Sequence, residues 1–278
     1  MKYTDKITYV TQTLSTGESY KLDYYNRLKI EPHHPSYYDS TLNFDKTKYK
    51  FPYLPLHIGN YKFTQDFIND YNVNVLRLLI RLNDRNKPIN LPMELLPLKD
   101  YINEQINYHY NYFTKKRDCY IYLTVRCTDD EVFYQTAQQW HVDGFQGDRI
   151  ENHIIDQEII WSNTNPTEFS MTPMFCDGLN PSKHNIHDFF DGKVNSYFTG
   201  VDDGIYLLTP YNVHRANLNT GGKRVFIRLT FIDIMIEDHT NTINPMLPFK
   251  YVDRKDVRNF LRDYTIDETI DCGFVFQH

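Results

Sequence analysis

The chain has 278 residues, and with 41% hydrophobic and 24% charged side chains it is a folded globular sequence, neither fibrous nor disordered. Its formal net charge of −6 argues against a broad electrostatic grip on nucleic acid, which needs a basic face, and leaves room only for a local basic patch. Aromatic residues make up 15%, with 23 Tyr and 18 Phe, enough for a rigid interior or an amphipathic cleft.

Residues 1 to about 60 are rich in Tyr and Pro; "EPHHPSYYDS" and "FPYLPLHIGN" read as irregular or edge structure, because proline lacks a donor and fixes φ. In "TQDFINDYNVNVLRLLIRL" the spacing of Phe67, Val75, Leu76, Leu78 and Leu79 predicts a helix, with Thr64 or Asp66 as its cap. A second helix is predicted from about Pro97 to Phe113, where Leu98, Tyr101, Ile102, Ile106 and Tyr110 recur at three- and four-residue intervals. From Asp118 the pattern changes to short β-branched or aromatic runs: "CYIYLTVRC", "VFYQTAQQWHVDG", "NHIIDQEIIWSNT", "GIYLLTP" and "RVFIRLTFIDIMI". Strands without intervening helices point to a sandwich, jelly roll or barrel, not a βαβ sheet. "DRKDVRNFLRDY" predicts a short helix near the end.

The four cysteines, Cys119, Cys127, Cys176 and Cys272, show no paired spacing, so neither a zinc knuckle nor a disulfide framework is expected. That fits a reducing, cytoplasmic setting. The first residues carry no apolar leader, and the most apolar run, "VLRLLIRL", is broken twice by Arg, so neither secretion nor a membrane span is expected. Abundant Asn, Tyr, Ile and Lys hints at an AT-rich genome, viral or microbial, and says nothing about activity.

The chemistry concentrates in "QQWHVDG". If it ends a strand, His141 and Asp143 share a face, Trp140 and Val142 take the other, and Gly144 supplies the turn. A His-x-Asp tripeptide arises by chance in a chain of this composition, and an ion pair in a surface turn is its bland reading. Two ligands do not hold a metal. A third is available in His214, where the apolar strand "GIYLLTP" gives way to "YNVHRAN". Downstream, "RVFIRLTF" sets Arg224, Phe226, Arg228 and Thr230 on one strand face and Val225, Ile227, Leu229 and Phe231 on the other. An arginine so flanked is costly to bury without an anion, and a carboxylate matches its fork.

In this order, HxD, a distal His after an apolar strand, then Arg-x-Thr in the next strand, the chain resembles the Fe(II)- and 2-oxoglutarate-dependent dioxygenases over residues 118 to 235. The resemblance implies a mainly β fold with supporting helices around a double-stranded β-helix, a cupin-like jelly roll. It also implies a 2-His-1-carboxylate triad of His141, Asp143 and His214 holding Fe(II), with positions left for the oxoacid and O2. Arg228 would pair with the distal carboxylate of 2-oxoglutarate and Thr230 would assist, with Arg224 as the second choice; Trp161 and Asn163 share a strand face and would line the oxoacid or substrate cavity. Residues 1–117 then form a helical and irregular support, 118–235 the catalytic core and 236–278 a C-terminal extension, packed as one domain. The implied activity is hydroxylation of an unactivated C–H with release of succinate and CO2. A small-molecule or amino-acid substrate suits the acidic charge, with a protein side chain or nucleobase open. The rivals are a zinc hydrolase on the same ligands and a non-catalytic jelly-roll binding module. The other histidines, including His33, His34, His184 and His187, read as loop residues, the last two at the cleft edge.

Overall fold

The computed structural model describes residues 9–13, 19–23, 49–50, 54–112, 118–128, 139–143, 157–179, 184, 186–217, 222–232, 235 and 241–247. The "EPHHPSYYDS" segment, Gly144 and the C-terminal helix predicted in "DRKDVRNFLRDY" lie outside them. Among the described residues the fold is mainly antiparallel β with few helices, and no helix is long and apolar enough to cross a membrane.

Two short strands, β1 (Tyr9–Thr13) and β2 (Ser19–Asp23), pair antiparallel. The larger sheet has six strands in the order β3 (Leu56–Asn60), β9 (Gly204–Leu208), β6 (Gln157–Ser162), β11 (Arg224–Ile232), β5 (Tyr120–Thr128) and β4 (Val75–Arg81). A smaller sheet runs β10 (His214–Arg215), β7 (Glu168–Ser170), β8 (Tyr197–Thr199), and an isolated bridge adds His141 beside His214 of β10. Three helices complete the described fold: α1 (Gln65–Asp70), α2 (Lys99–Tyr112), which follows a 3-10 turn at Met93–Leu98, and α3 (Ile186–Asp191).

Strand alternation decides what each face of the large sheet does. Val225, Ile227, Leu229 and Phe231 of β11 join Ile121, Leu123 and Val125 of β5 and Ile159 and Trp161 of β6 in the main core. Leu95, Leu98, Tyr101, Ile102 and Ile106 close that face from the 3-10 turn and α2. The helix predicted from Pro97 is therefore a buttress, and its apolar stripe is what the sheet buries. On the opposite face Ile160, Tyr206 and Leu208 meet Phe169 and Phe198 of the smaller sheet. The outer side of the smaller sheet carries Trp140, Val142, Tyr211 and Val213, packed with Tyr49 and Phe190.

The predicted first helix is corrected. Only Gln65–Asp70 is helical, and "VLRLLIR" is strand β4 at the end of the large sheet. Val75, Leu78 and Ile80 enter the main core, while Leu79 packs on the other side with Tyr122 and Ile232. A strand buried on both faces is a continuous apolar run, and such a run imitates a buried helix. Two register shifts against β5 and a positive φ of 45° at Arg77 mark this strand as bulged. Thr64 caps the short helix, its hydroxyl accepting from Phe67 N at 3.2 Å. Thr64→Ala should cost about 1 kcal/mol in urea denaturation, and a change within error would show the cap to be idle. With β3 at one edge of the large sheet and β4 at the other, the N-terminal part supplies strands of the sheet as well as its support.

Candidate metal centre

The site is built on one backbone pairing. His141 N donates to His214 O at 2.9 Å and His214 N to His141 O at 2.8 Å, so the two residues face each other directly and their side chains leave the ladder on the same side. Period two then brings Asp143 to that side as well, and buries Trp140 and Val142 behind it. The ligand atoms of His141, Asp143 and His214 all lie within 4.8 Å of one another. Residues 71 positions apart in sequence meet because β10 returns beside the His141 segment.

Both imidazoles are oriented for metal binding. Nδ1 of His141 lies 2.7 Å from Gln139 O, and Nδ1 of His214 lies 2.8 Å from Asn212 O. A carbonyl only accepts, so each Nδ1 carries a proton and each Nε2 is the ring nitrogen left to face the triad. Nε2 of His214 is 3.2 Å from Asp143 Oδ2. Two ligands that far apart at right angles suit an ion about 2.2 Å from each, an ordinary metal–nitrogen or metal–carboxylate distance. The donor set thus fits a divalent ion: two imidazole nitrogens and one carboxylate, with their ligand atoms within 4.8 Å of one another.

The chain matches no family model, no curated protein and no solved structure. What the site can do is therefore argued from its own geometry.

Burial, then the neighbouring imidazoles of His214 and His187, holds His141 well below the ordinary histidine range, so it is a neutral ligand at physiological pH. Burial pushes the Asp143 carboxyl up, but the Arg228 guanidinium, followed by His214 and His141, overturns this and holds it well below the usual carboxylate range. In the metal-free protein the unfolded chain therefore binds more protons than the folded one once pH drops below His141's unfolded value of about 6.5. Stability should be flat above that pH and fall below it, by at most about 1.4 kcal/mol per pH unit for this one group. The depressed Asp143 adds a second loss only as pH falls past its unfolded value near about 3.9. Denaturation midpoints unchanged between pH 7.5 and 5.5 would contradict the neutral, buried imidazole.

The other expected site residues are distributed differently from the sequence reading. Arg228 reaches the triad itself: Nη1 donates to Asp143 Oδ2 at 2.7 Å and lies 3.6 Å from Glu158 Oε2. Thr230 donates from Oγ1 to Glu158 Oε1 at 3.1 Å. Arg224 is buried on the same strand face, donates through Nε to Asn165 O at 3.0 Å, and folds over the Phe226 ring at 4.8 Å. Among the described residues no carboxylate meets it, and burial pushes it down to about 10, still a cation at neutral pH. Trp161 is turned away from the triad: it sits in the main core and donates from Nε1 to Tyr61 O at 2.8 Å. Asn163 has both ends of its amide engaged, donating to Lys223 O and accepting from Val225 N, so it braces the entry of β11. Trp161, expected beside the cavity, is thus a core residue, following the alternation that also puts Ile159 in the core.

Two further residues reach the site: Glu158, which the sequence reading does not single out, and His187, which it expects only as a loop residue at the cleft edge. Glu158 of β6 is the acid between Arg228 and Thr230; its signal was the same alternation, since Glu158 and Ile160 must oppose Ile159 and Trp161. His187, on α3, is buried with its ring 4.9 Å from that of His141, nearly the 4.6 Å that separates His141 from His214. The helix is tied to the site segment by Trp140 N donating to Asp191 Oδ1 at 3.1 Å. Nothing in the spacing of "KHNIHDFF" announces that contact.

Proposed function

We propose that the protein is an Fe(II)- and 2-oxoglutarate-dependent oxygenase acting on an unactivated C–H of a small-molecule, amino-acid or nucleobase-type substrate. The observation that carries this reading is the convergence of His141, Asp143 and His214, with both Nδ1 atoms fixed on backbone carbonyls. Two imidazoles and one carboxylate on a single side of an ion leave its other side open to exchangeable ligands, the donor pattern of non-haem ferrous oxygenases. When bound, the ferrous ion would activate O2, the four-electron oxidant, with two electrons coming from oxidative decarboxylation of the oxoacid to succinate and CO2 and two from the substrate C–H.

The strand orders support a double-stranded β-helix. Four central strands of the large sheet run β5, β11, β6, β9, and facing them the His141 segment, β10, β7 and β8 run in turn, all neighbours antiparallel. From β5 to β11 successive strands thus pass between two facing sheets, except that β7 and β8 follow one another within the smaller sheet, an arrangement compatible with a jelly roll.

The anchor for the oxoacid's distal carboxylate is better assigned to Arg224 than to Arg228. Arg228 already has Asp143 and Glu158, whereas Arg224 is a buried cation with no carboxylate beside it among the described residues. An uncompensated buried guanidinium is costly, and a bidentate carboxylate offsets that cost. Its guanidinium lies over the ring of Phe226, the residue between it and Arg228 on that strand face.

Anaerobic titration with Fe(II) and then 2-oxoglutarate tests the reading. The expected result is a visible metal-to-ligand charge-transfer band of the chelate, saturating at one equivalent and absent in Arg224→Met at the same oxoacid concentration. Zinc binding with no band under ferrous conditions would favour a hydrolase. No metal binding at all would leave only the binding module.

A further inference from the structure

Five polar side chains form one line across the gap between the two sheets. Thr230 Oγ1 donates to Glu158 Oε1, Glu158 Oε2 faces Arg228 Nη1, and Arg228 Nη1 donates to Asp143 Oδ2, which in turn meets His214 Nε2. The first three stand on adjacent strands of the large sheet, where Thr230 is directly opposite Glu158 and Arg228 directly opposite Ile160. Asp143 comes from the segment that borders the smaller sheet. One oxygen, Oδ2, is therefore held at 2.7 Å from a guanidinium fixed to the large sheet and at 3.2 Å from an imidazole fixed to the small one.

We infer that Arg228 is a positioning residue whose task is to hold Asp143 as a one-oxygen ligand, and that Glu158 and Thr230 hold Arg228 for it. This rests on the ferrous reading given above and departs from the role of oxoacid anchor. The physical argument concerns the carboxylate's last torsion. An aspartate rotates freely about Cβ–Cγ, and a free carboxylate beside a divalent ion can offer it both oxygens. The second oxygen would then occupy a position that the oxoacid needs. A guanidinium clamped to Oδ2 fixes the plane of the carboxylate and spends that oxygen's remaining lone pair, so the group cannot rotate to a two-oxygen mode without breaking a charge-assisted hydrogen bond. Glu158 matters because a lone arginine between two apolar-cored sheets would have no reason to keep one rotamer. Paired on one side with Glu158 and on the other with Asp143, it is neutralised and oriented.

The test uses the full chain loaded with Co(II), whose d–d absorption reports coordination number without turnover. In Arg228→Met the Co(II) spectrum should change intensity and position, activity should fall about 10- to 100-fold as outer-shell changes at metal sites do, and 2-oxoglutarate should bind more weakly together with that spectral change, because the second Asp143 oxygen then competes for its position. Arg228→Lys, which keeps a cation within reach of Oδ2, should return the spectrum toward its starting form. Should Arg228→Met not fold, as judged by circular dichroism, Glu158→Gln serves instead, with a spectral change in the same direction and smaller. An unchanged Co(II) spectrum in every folded variant overturns the inference. So does loss of 2-oxoglutarate affinity with the spectrum unchanged, which would make Arg228 the anchor. Failure of the unaltered chain to take up any divalent ion overturns the ferrous reading itself, and is told apart by occurring before any substitution.

Discussion

His214→Ala should abolish stoichiometric ferrous binding while leaving the fold in place. The backbone of His214 makes the pairing with His141 and with Phe169, and neither bond needs the imidazole. What disappears is the Nε2 lone pair opposite Asp143 Oδ2. Disturbing an outer-shell partner of a metal ligand already costs about 10- to 100-fold in affinity, so removing one of three ligands should exceed about 100-fold. His214 is preferable to Asp143 for this purpose. Asp143→Ala would remove the 2.7 Å ion pair of Arg228 and keep only its longer 3.6 Å approach to Glu158, and the lost buried pair would cost stability on its own account. Isothermal titration with Fe(II) under anaerobic conditions, alongside a thermal melt of the metal-free protein, separates the two effects. Retained ferrous affinity in His214→Ala would dismiss the triad.

Trp161→Ala should be the most damaging single change to the fold, at about 3–5 kcal/mol. Trp161 is 1% exposed, meets Phe63 edge-on at 5.0 Å and Tyr101 at 6.1 Å, and satisfies Tyr61 O through its indole N–H. Alanine removes those ring contacts, leaves a void behind α2 and strands the Tyr61 carbonyl. The damage should reach the metal site, because Trp161 stands on β6 with Glu158 and Ile160 facing the other way. Urea denaturation of the metal-free protein measures the loss. A cost below about 1 kcal/mol would mean that the helix layer is not packed on this face.

The candidate site was partly readable in the letters. Alternation along "RVFIRLTF" and "QWHVD" fixed which side chains share a face, because a strand's period of two is a backbone property that no neighbour alters. For the same reason it could not choose between Arg224 and Arg228, which four residues of strand put on one face alike. The choice depends on which of them Asp143 reaches from the other sheet, a distance with no local signature. The run "VLRLLIR" failed for a related reason: burial on both faces erased the alternation that would have marked a strand.

By itself, then, the sequence determined the strand faces, a helix start with Thr64 or Asp66 as its cap, the amphipathic helix against the sheet and the pairing of His141 with Asp143 on one side. These follow from interactions a few residues long, dictated by local stereochemistry. The tertiary structure decided that His214 returns to face His141, that Glu158 and Arg228 lock the carboxylate, that His187 closes in from α3 and that Arg224 is buried without a carboxylate partner among the described residues. Each of these depends on how two sheets pack across a shared core, where the free energy of burial, and not chain order, sets which residues become neighbours.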